Sequence, residues 1–145
     1  MATEIEQEKE ARALIAQANA ASLATLTADG APYASLVTIA IDQAGQPILL
    51  LSSLSDHTKN LITDPRGSLL IEDAFHLKNP QTGPRVTLQG LIHPSDDESD
   101  REVFLLKHPS AQLYAGFDDF RFFKMAVEKA HFVGGFGAAR WFDFT

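Results

Sequence analysis

Residues 52–60, Ser-Ser-Leu-Ser-Asp-His-Thr-Lys-Asn, gather the side chains best suited to chemistry. The apolar run Ile48–Leu51 ends in two serines, and a helix start follows at once with Thr58 and Lys59 in its first turn. A helix N-terminus offers unpaired N–H groups and the positive end of its dipole, so hydroxyls beside one lysine complete a phosphate cradle. Between residues 22 and 93 the cationic side chains are Lys59, Arg66, Lys78 and Arg85. A phosphate dianion on a chain of formal charge −7 draws on some of these, and Lys59 is the best placed. The same residues also spell an ordinary capped helix with exposed charge.

Other chemistries find less support. A dinucleotide loop at Gly135 and Gly137 needs Gly or Ala at position 140, where Arg140 stands, and a helix after it. No GxxxxGK[ST] string occurs. The five histidines, at 57, 76, 93, 108 and 131, lack metal-ligand spacing. With no cysteine there is no thiol nucleophile, disulfide framework or Cys-ligated zinc. No nucleophile elbow is present, and the acid pairs Asp96-Asp97 and Asp118-Asp119 are sequence neighbours that do not face each other on a helix.

These groups need a scaffold, and 145 residues suit a single domain spanning 1–145. A hydrophobic content of 45% with 21% charged residues is globular composition. No apolar run approaches the ~20 residues of a membrane span, and the acidic N-terminus resembles no signal peptide. The acidic balance excludes a general nucleic-acid binder, which needs rows of Lys and Arg. The chain reads as soluble and cytoplasmic.

Residues 4–20 read as a helix, with Leu14, Ile15 and Ala18 as an apolar stripe and glutamates loading the first turns. Ser22–Thr27, Tyr33–Ile41 and Ile48–Leu51 read as three strands, and the tight turns between them favour an antiparallel meander. Ser55 is placed to cap a helix of about two turns, which Pro65 closes. Gly67–Glu72 is a strand, 76–84 a loop, and Arg85–Ile92 a strand burying Val86, Leu88 and Leu91. Asp96–His108 reads as a helix with an acidic first turn. Phe120–Val127 fits helix or strand by period alone. His131–Phe144 reads as a strand interrupted at Gly134, Gly135 and Gly137. The fold class is mainly β with helices (α+β), a small barrel of six or seven antiparallel strands.

With these elements in place, Pro47–Leu61 (PILLLSSLSDHTKNL), followed by Asp64–Leu70 (DPRGSLL), resembles the FMN-binding split-barrel superfamily of pyridoxamine 5′-phosphate oxidase and its relatives. The likeness covers nearly the whole chain. The tail, His108-Pro109, Leu113–Phe117, Asp119-Phe120 and His131–Trp141 (HFVGGFGAARW), is similar to the branch that contains haem-utilisation proteins. The resemblance implies a split β-barrel with Phe120–Val127 as strand, and a homodimer with FMN at the subunit interface. It implies Ser35, Leu36, Val37 and Thr38 along the flavin ring and ribityl chain. Around the phosphate it implies Ser52, Ser53, His57, Thr58, Lys59 and Asn60. Arg85 matches a strand position that in relatives reaches the cofactor from the partner subunit.

The chain departs from the pattern in places. Ser35 stands where the oxidase has an arginine, which shifts the phosphate grip toward Lys59 and Arg85. Ala138 replaces a basic residue of the haem branch. Neither that branch's additional C-terminal domain nor the oxidase's C-terminal arginine-histidine motif has a counterpart. The leading expectation is therefore a pyridoxamine 5′-phosphate oxidase-related, FMN-dependent oxidoreductase acting on an unassigned small substrate. The alternatives are a haem-binding protein, with His93 or His131 as axial ligand, and a non-enzymatic flavin carrier. Nine of the ten phenylalanines lie after residue 100, more apolar surface than one small barrel readily hides, which points to a dimer.

Overall fold

The computed structural model describes residues 3–135 and 138–144. Helix α1 (Glu4–Ala16) opens on a capping box, with the Thr3 side chain accepting from the Glu6 N–H and the Glu6 carboxylate accepting from the Thr3 N–H. It ends four residues before the expected limit of residue 20. From Ala20 onward the backbone is claimed by a sheet ladder, Ala20 to Leu26 pairing with Thr38 to Pro32. Strands β1 (Ala20–Leu26), β2 (Pro32–Ile41) and β3 (Pro47–Ser52) form the expected antiparallel meander. Its turns place Gly30 at φ 86° and Gly45 at φ 83°, where a side chain would be strained.

Helix α2 (Asp56–Thr63) leads into β4 (Arg66–Glu72), which pairs with β5 (Arg85–Pro94). Ser55 occupies the cap position, yet its side chain makes no capping bond. Ser52 closes that turn instead, its Oγ accepting from the Leu54 N–H and its carbonyl from the Ser55 N–H. The 76–84 loop holds one 3-10 turn, Pro80–Thr82. On β5 the inward set is Val86, Leu88 and Ile92; Leu91, expected inside, has the opposite strand parity and is only half-buried. Helix α3 (Glu98–Lys107) starts two residues later than expected, because Asp97 serves as its cap and accepts from the Ser99 N–H.

The aromatic tail is two strands rather than one interrupted strand. Strand β6 (Phe120–Val133) and β7 (Ala139–Asp143) make a hairpin, with Gly135 at φ 136° in its turn. Gly137 lies outside the described residues. The sheet order is β3-β2-β1-β4-β5-β6-β7, and β3 also pairs with β6, which closes six strands into an antiparallel barrel with β7 added outside the closure. Among the described residues no helix is long and apolar enough to cross a membrane.

The barrel interior is filled by Leu23, Ile39, Leu49, Leu69, Leu88, Ile92, Phe123, Met125 and Phe132, with α1 across one opening through Ala11 and Ile15. A second apolar cluster lies under α3, where Phe104 packs on Ile48, Leu50 and Phe122. Five of the late phenylalanines (104, 122, 123, 132 and 144) are thus buried within the chain itself. These five add no apolar surface for a second copy to cover, because the barrel, α1 and α3 already bury them, whereas Phe117 is 57% exposed. Lys124 ties α3 to the barrel, its ammonium 2.7 Å from the Asp42 carboxylate and 3.0 Å from that of buried Asp100. Burial alone would lower the Lys124 pKa, but the two carboxylates outweigh it and hold the lysine charged.

A bulge decides which way the end of β6 faces. Gln89 pairs with Lys129 but Gly90 with Val127, so Glu128 is an extra residue. Before it Phe123, Met125 and Val127 are buried, whereas after it Ala130 and Phe132 are. The inward parity switches from odd to even, and His131 turns to the outer face. Gly90 makes this possible, since a Cβ there would collide with the Ala126 carbonyl oxygen. Gly90→Ala is expected to lower stability by about 1–3 kcal/mol. Urea unfolding tests this, and an unchanged midpoint would mean that the strands part without cost.

Candidate functional site

The residues expected to form one phosphate cradle divide into separate groups. The first is a polar seam where α2 packs on β1 and β2. His57 Nδ1 lies 3.0 Å from Ser35 Oγ, and Asn60 Nδ2 donates to Thr25 Oγ1 at 3.0 Å. Thr58 is only 4% exposed, and its Oγ1 is buried with no hydrogen-bond partner among the described residues. A buried hydroxyl left unpaired costs about 1–3 kcal/mol, which marks a position that a ligand oxygen could satisfy. Lys59 is exposed on the same first turn. Burial lowers the His57 pKa, opposed by the Asp56 carboxylate, so the imidazole is neutral near pH 7.

The second group is the turn from β3 to α2. Ser52 Oγ donates to the Asp119 carboxylate at 2.9 Å, and the Ser53 N–H donates to the Asp119 carbonyl at 2.7 Å. Ser53 itself is exposed. Sequence reasoning set Asp119 aside. Its role follows from the pairing of Ser52 with Phe120, which lays the start of β6 along the end of β3. A carboxylate on this turn repels an anion, so Ser52 and Ser53 are poor phosphate ligands as they stand.

On β2 the four expected residues alternate between faces. Ser35 turns toward α2, Val37 is buried in the core, and Leu36 and Thr38 face outward. The Val37 side chain is therefore closed to any ligand. The backbone is another matter: residues 32–38 pair with β1 on one side, whereas β3 meets β2 only at Ile39–Ile41. Among the described residues that leaves the other edge of β2 without a strand partner over residues 32–38.

Arg85 stands apart from Lys59. Helix α2 leads into Arg66 at one end of β4, whereas Arg85 pairs with Glu72 at the other, roughly 20 Å along the strand. Within one chain the two cations do not meet at a common phosphate. Arg85 Nη1 donates to the carbonyls of Gln81 at 2.8 Å and Gly83 at 3.0 Å, which ties the 73–84 loop to the sheet. Arg85 also borders a mostly apolar cavity of about 360 Å³, with Leu70, Glu72, Ala74, Phe75, His131 and Val133 among its walls.

The cavity lies on a row of cross-strand partners. Leu36 pairs with Ser22, Ser22 with Leu70, Leu70 with Thr87, Thr87 with His131, and His131 with Trp141. Directly opposed residues share a sheet face, so this row crosses six strands on the outside of the barrel. Leu36 is 78% exposed and Trp141 53%, and Phe75 from the adjoining loop is 72% exposed. A second hollow of about 430 Å³, bordered by Leu36, Ser22 and Glu72, lies on the other side of Leu70 and Phe75.

The histidines separate by partner. His57 is bonded to Ser35, His108 Nε2 lies 2.7 Å from the Ile39 carbonyl, and His76 lies 3.3 Å from Asp73. His93 and His131 hold no such partner among the described residues. His93 is exposed, whereas His131 is half-buried in the cavity wall with its ring 4.6 Å from that of Trp141. Sequence reasoning missed Trp141, Phe75 and Thr25 as site residues. Of these, Trp141 carried a signal, since it closes the tail motif His131–Trp141.

Residues 3–144 match the profile of the family described as CREG, beta-barrel. The chloroplastic non-canonical heme oxygenase HOZ of Arabidopsis thaliana is 38% identical over 116 residues, 77% of this chain and 34% of that protein. The chain thus spans about a third of the length of the curated relative it matches (34%). The heme binding protein from Mycobacterium smegmatis superposes with a TM-score of 0.89 at 33% identity, covering 99% of this chain and 60% of that one. Campylobacter jejuni ChuZ superposes at 0.87 with 20% identity, covering 99% and 61%, a likeness of fold.

The buried seam sets a pH dependence. The unfolded chain takes up a proton at residue 57 near the ordinary value of 6.5, and the folded chain resists it. Its contribution to stability is therefore complete above that value and is lost as pH falls below it. His57→Gln is expected to flatten the fall in melting temperature between about pH 7.5 and 5.5. Parallel melting curves for the variant and the parent would remove His57 from the account.

Proposed function

The chain belongs to the CREG β-barrel family, and on that premise we propose that it is a haem-binding protein of the haem-utilisation type. The observation that carries this reading is the cavity shared by His131 and Arg85. Haem is a flat apolar macrocycle with two carboxylates and an iron that takes an imidazole. The residues present fit each part. Leu70, Ala74, Phe75 and Val133 offer apolar wall, His131 a half-buried imidazole, and Arg85 a guanidinium with N–H groups beyond those given to Gln81 and Gly83. A bound haem would supply one-electron and oxygen chemistry. The chain's part is to bind, orient and desolvate. The relatives named a heme oxygenase and a heme binding protein support haem over flavin.

A second reading, FMN with oxidoreductase chemistry, rests on the unpaired Thr58 hydroxyl at the start of α2 and on the open edge of β2. In it Thr58, Lys59 and Asn60 would hold the phosphate, with His57 and Ser35 beside them. One experiment separates the two. Hemin titrated into the purified protein is expected to give a Soret band at one equivalent per chain, lost in His131→Ala and kept in His93→Ala. A resident flavin band near ~450 nm with no hemin complex would reverse the order of the readings.

We also propose a homodimer built on the outer face. Leu36 and Phe75 leave exposed apolar surface there, and the edge of β2 that is unpaired among the described residues is the kind of edge that proteins cover. A second copy would close the cavity from water. Light scattering is expected to give twice the chain mass of 15.8 kDa, and Leu36→Glu to return it to the single-chain value. A monomeric parent protein would end this proposal.

A further inference from the structure

Resting on the haem reading, we propose that Trp141 is a positioning residue that holds the His131 imidazole toward the cavity. The two residues are direct partners across β6 and β7, with ring centroids 4.6 Å apart and planes inclined by 38°. His131 stands on an outer sheet face, where a half-exposed imidazole is otherwise free to turn about its side-chain bonds. The indole removes part of that freedom and shields one side of the ring from water.

An edge strand could not do this unless it were itself held. Among the described residues strand β7 pairs with β6 alone, but Arg140 and Phe142, with Phe144 just beyond the strand, face away from the row and grip α1. Arg140 Nε donates to Gln7 Oε1 at 2.7 Å, and Arg140 Nη1 lies 2.7 Å from Glu4 Oε1. The Arg12 guanidinium carbon lies 4.4 Å from the Phe144 ring centroid and 5.9 Å from that of Phe142. Alternation along five residues thus gives one face that anchors and one that presents Trp141. The constraint runs from α1 through Arg140 to Trp141 and ends on His131.

Hemin and iron-free protoporphyrin IX, titrated against the same variants, test the proposal. Trp141→Ala is expected to weaken hemin about tenfold and to shift the Soret maximum of the ferric complex, as loss of a ligand-orienting neighbour does. Trp141→Phe, which keeps an aromatic face against the imidazole, is expected to restore both. Iron-free protoporphyrin is expected to bind all these proteins alike, because only the iron senses the imidazole. A Trp141→Ala ferric spectrum identical to that of the parent would overturn the proposal. So would an equal loss of iron-free protoporphyrin binding, which would make Trp141 a plain contact. If the parent binds hemin and His131→Ala binds it unchanged, the haem reading survives and the positioning role falls. If the parent forms no hemin complex, both fall together.

Discussion

The bulge between Gln89 and Gly90 is the constraint on which the outer face depends. Strand β6 is fourteen residues long and serves β3 at one end, β5 along most of its length and β7 at the other end. A regular strand would keep one parity throughout. With Phe123, Met125 and Val127 inward, residue 131 would then point into the barrel. The extra residue at Glu128 reverses the parity, so Phe132 fills the core and His131 faces out beside Arg85. The local backbone contact of Gly90 with Ala126 thereby decides where an imidazole is available.

The same register explains why two candidate sites exist and why they differ in character. The α2 seam is enclosed and polar, built from hydroxyls, an amide and a neutral imidazole, with one hydroxyl unpaired. The outer cavity is mostly apolar, with one arginine, one glutamate and one imidazole among its walls, and opens on a row of exposed hydrophobic side chains. The first suits a small anion held by hydrogen bonds, and the second a broad apolar ligand with few polar anchors. Asp119 weights the comparison, since its carboxylate occupies the turn that a phosphate would need.

The fold was largely legible because strand alternation is a local property. The meander of β1 to β3, the two-sided burial of Ile48–Leu51 and the short α2 closed by Pro65 follow from period, turn residues and proline sterics. Boundaries slipped where two local preferences compete. Gln17 caps α1 and the β1 and β2 ladder takes the backbone from Ala20, which ends the helix early, and Ser55 loses its capping role because Ser52 closes the turn first.

The amino-acid sequence by itself determined the parts: an acidic chain without cysteine, a strand-turn-helix rich in hydroxyls, and an aromatic tail, each written in residue types and short spacings. Tertiary structure alone decided how they combine. Arg85 and Lys59 are separated by the length of β4, and Ser52 is paired with an acid 67 residues away. His131 and Trp141 become neighbours through a hairpin whose parity was set by the bulge across from Gly90. Such pairings are invisible in sequence, because a one-residue shift in register exchanges the inside of a sheet for its outside.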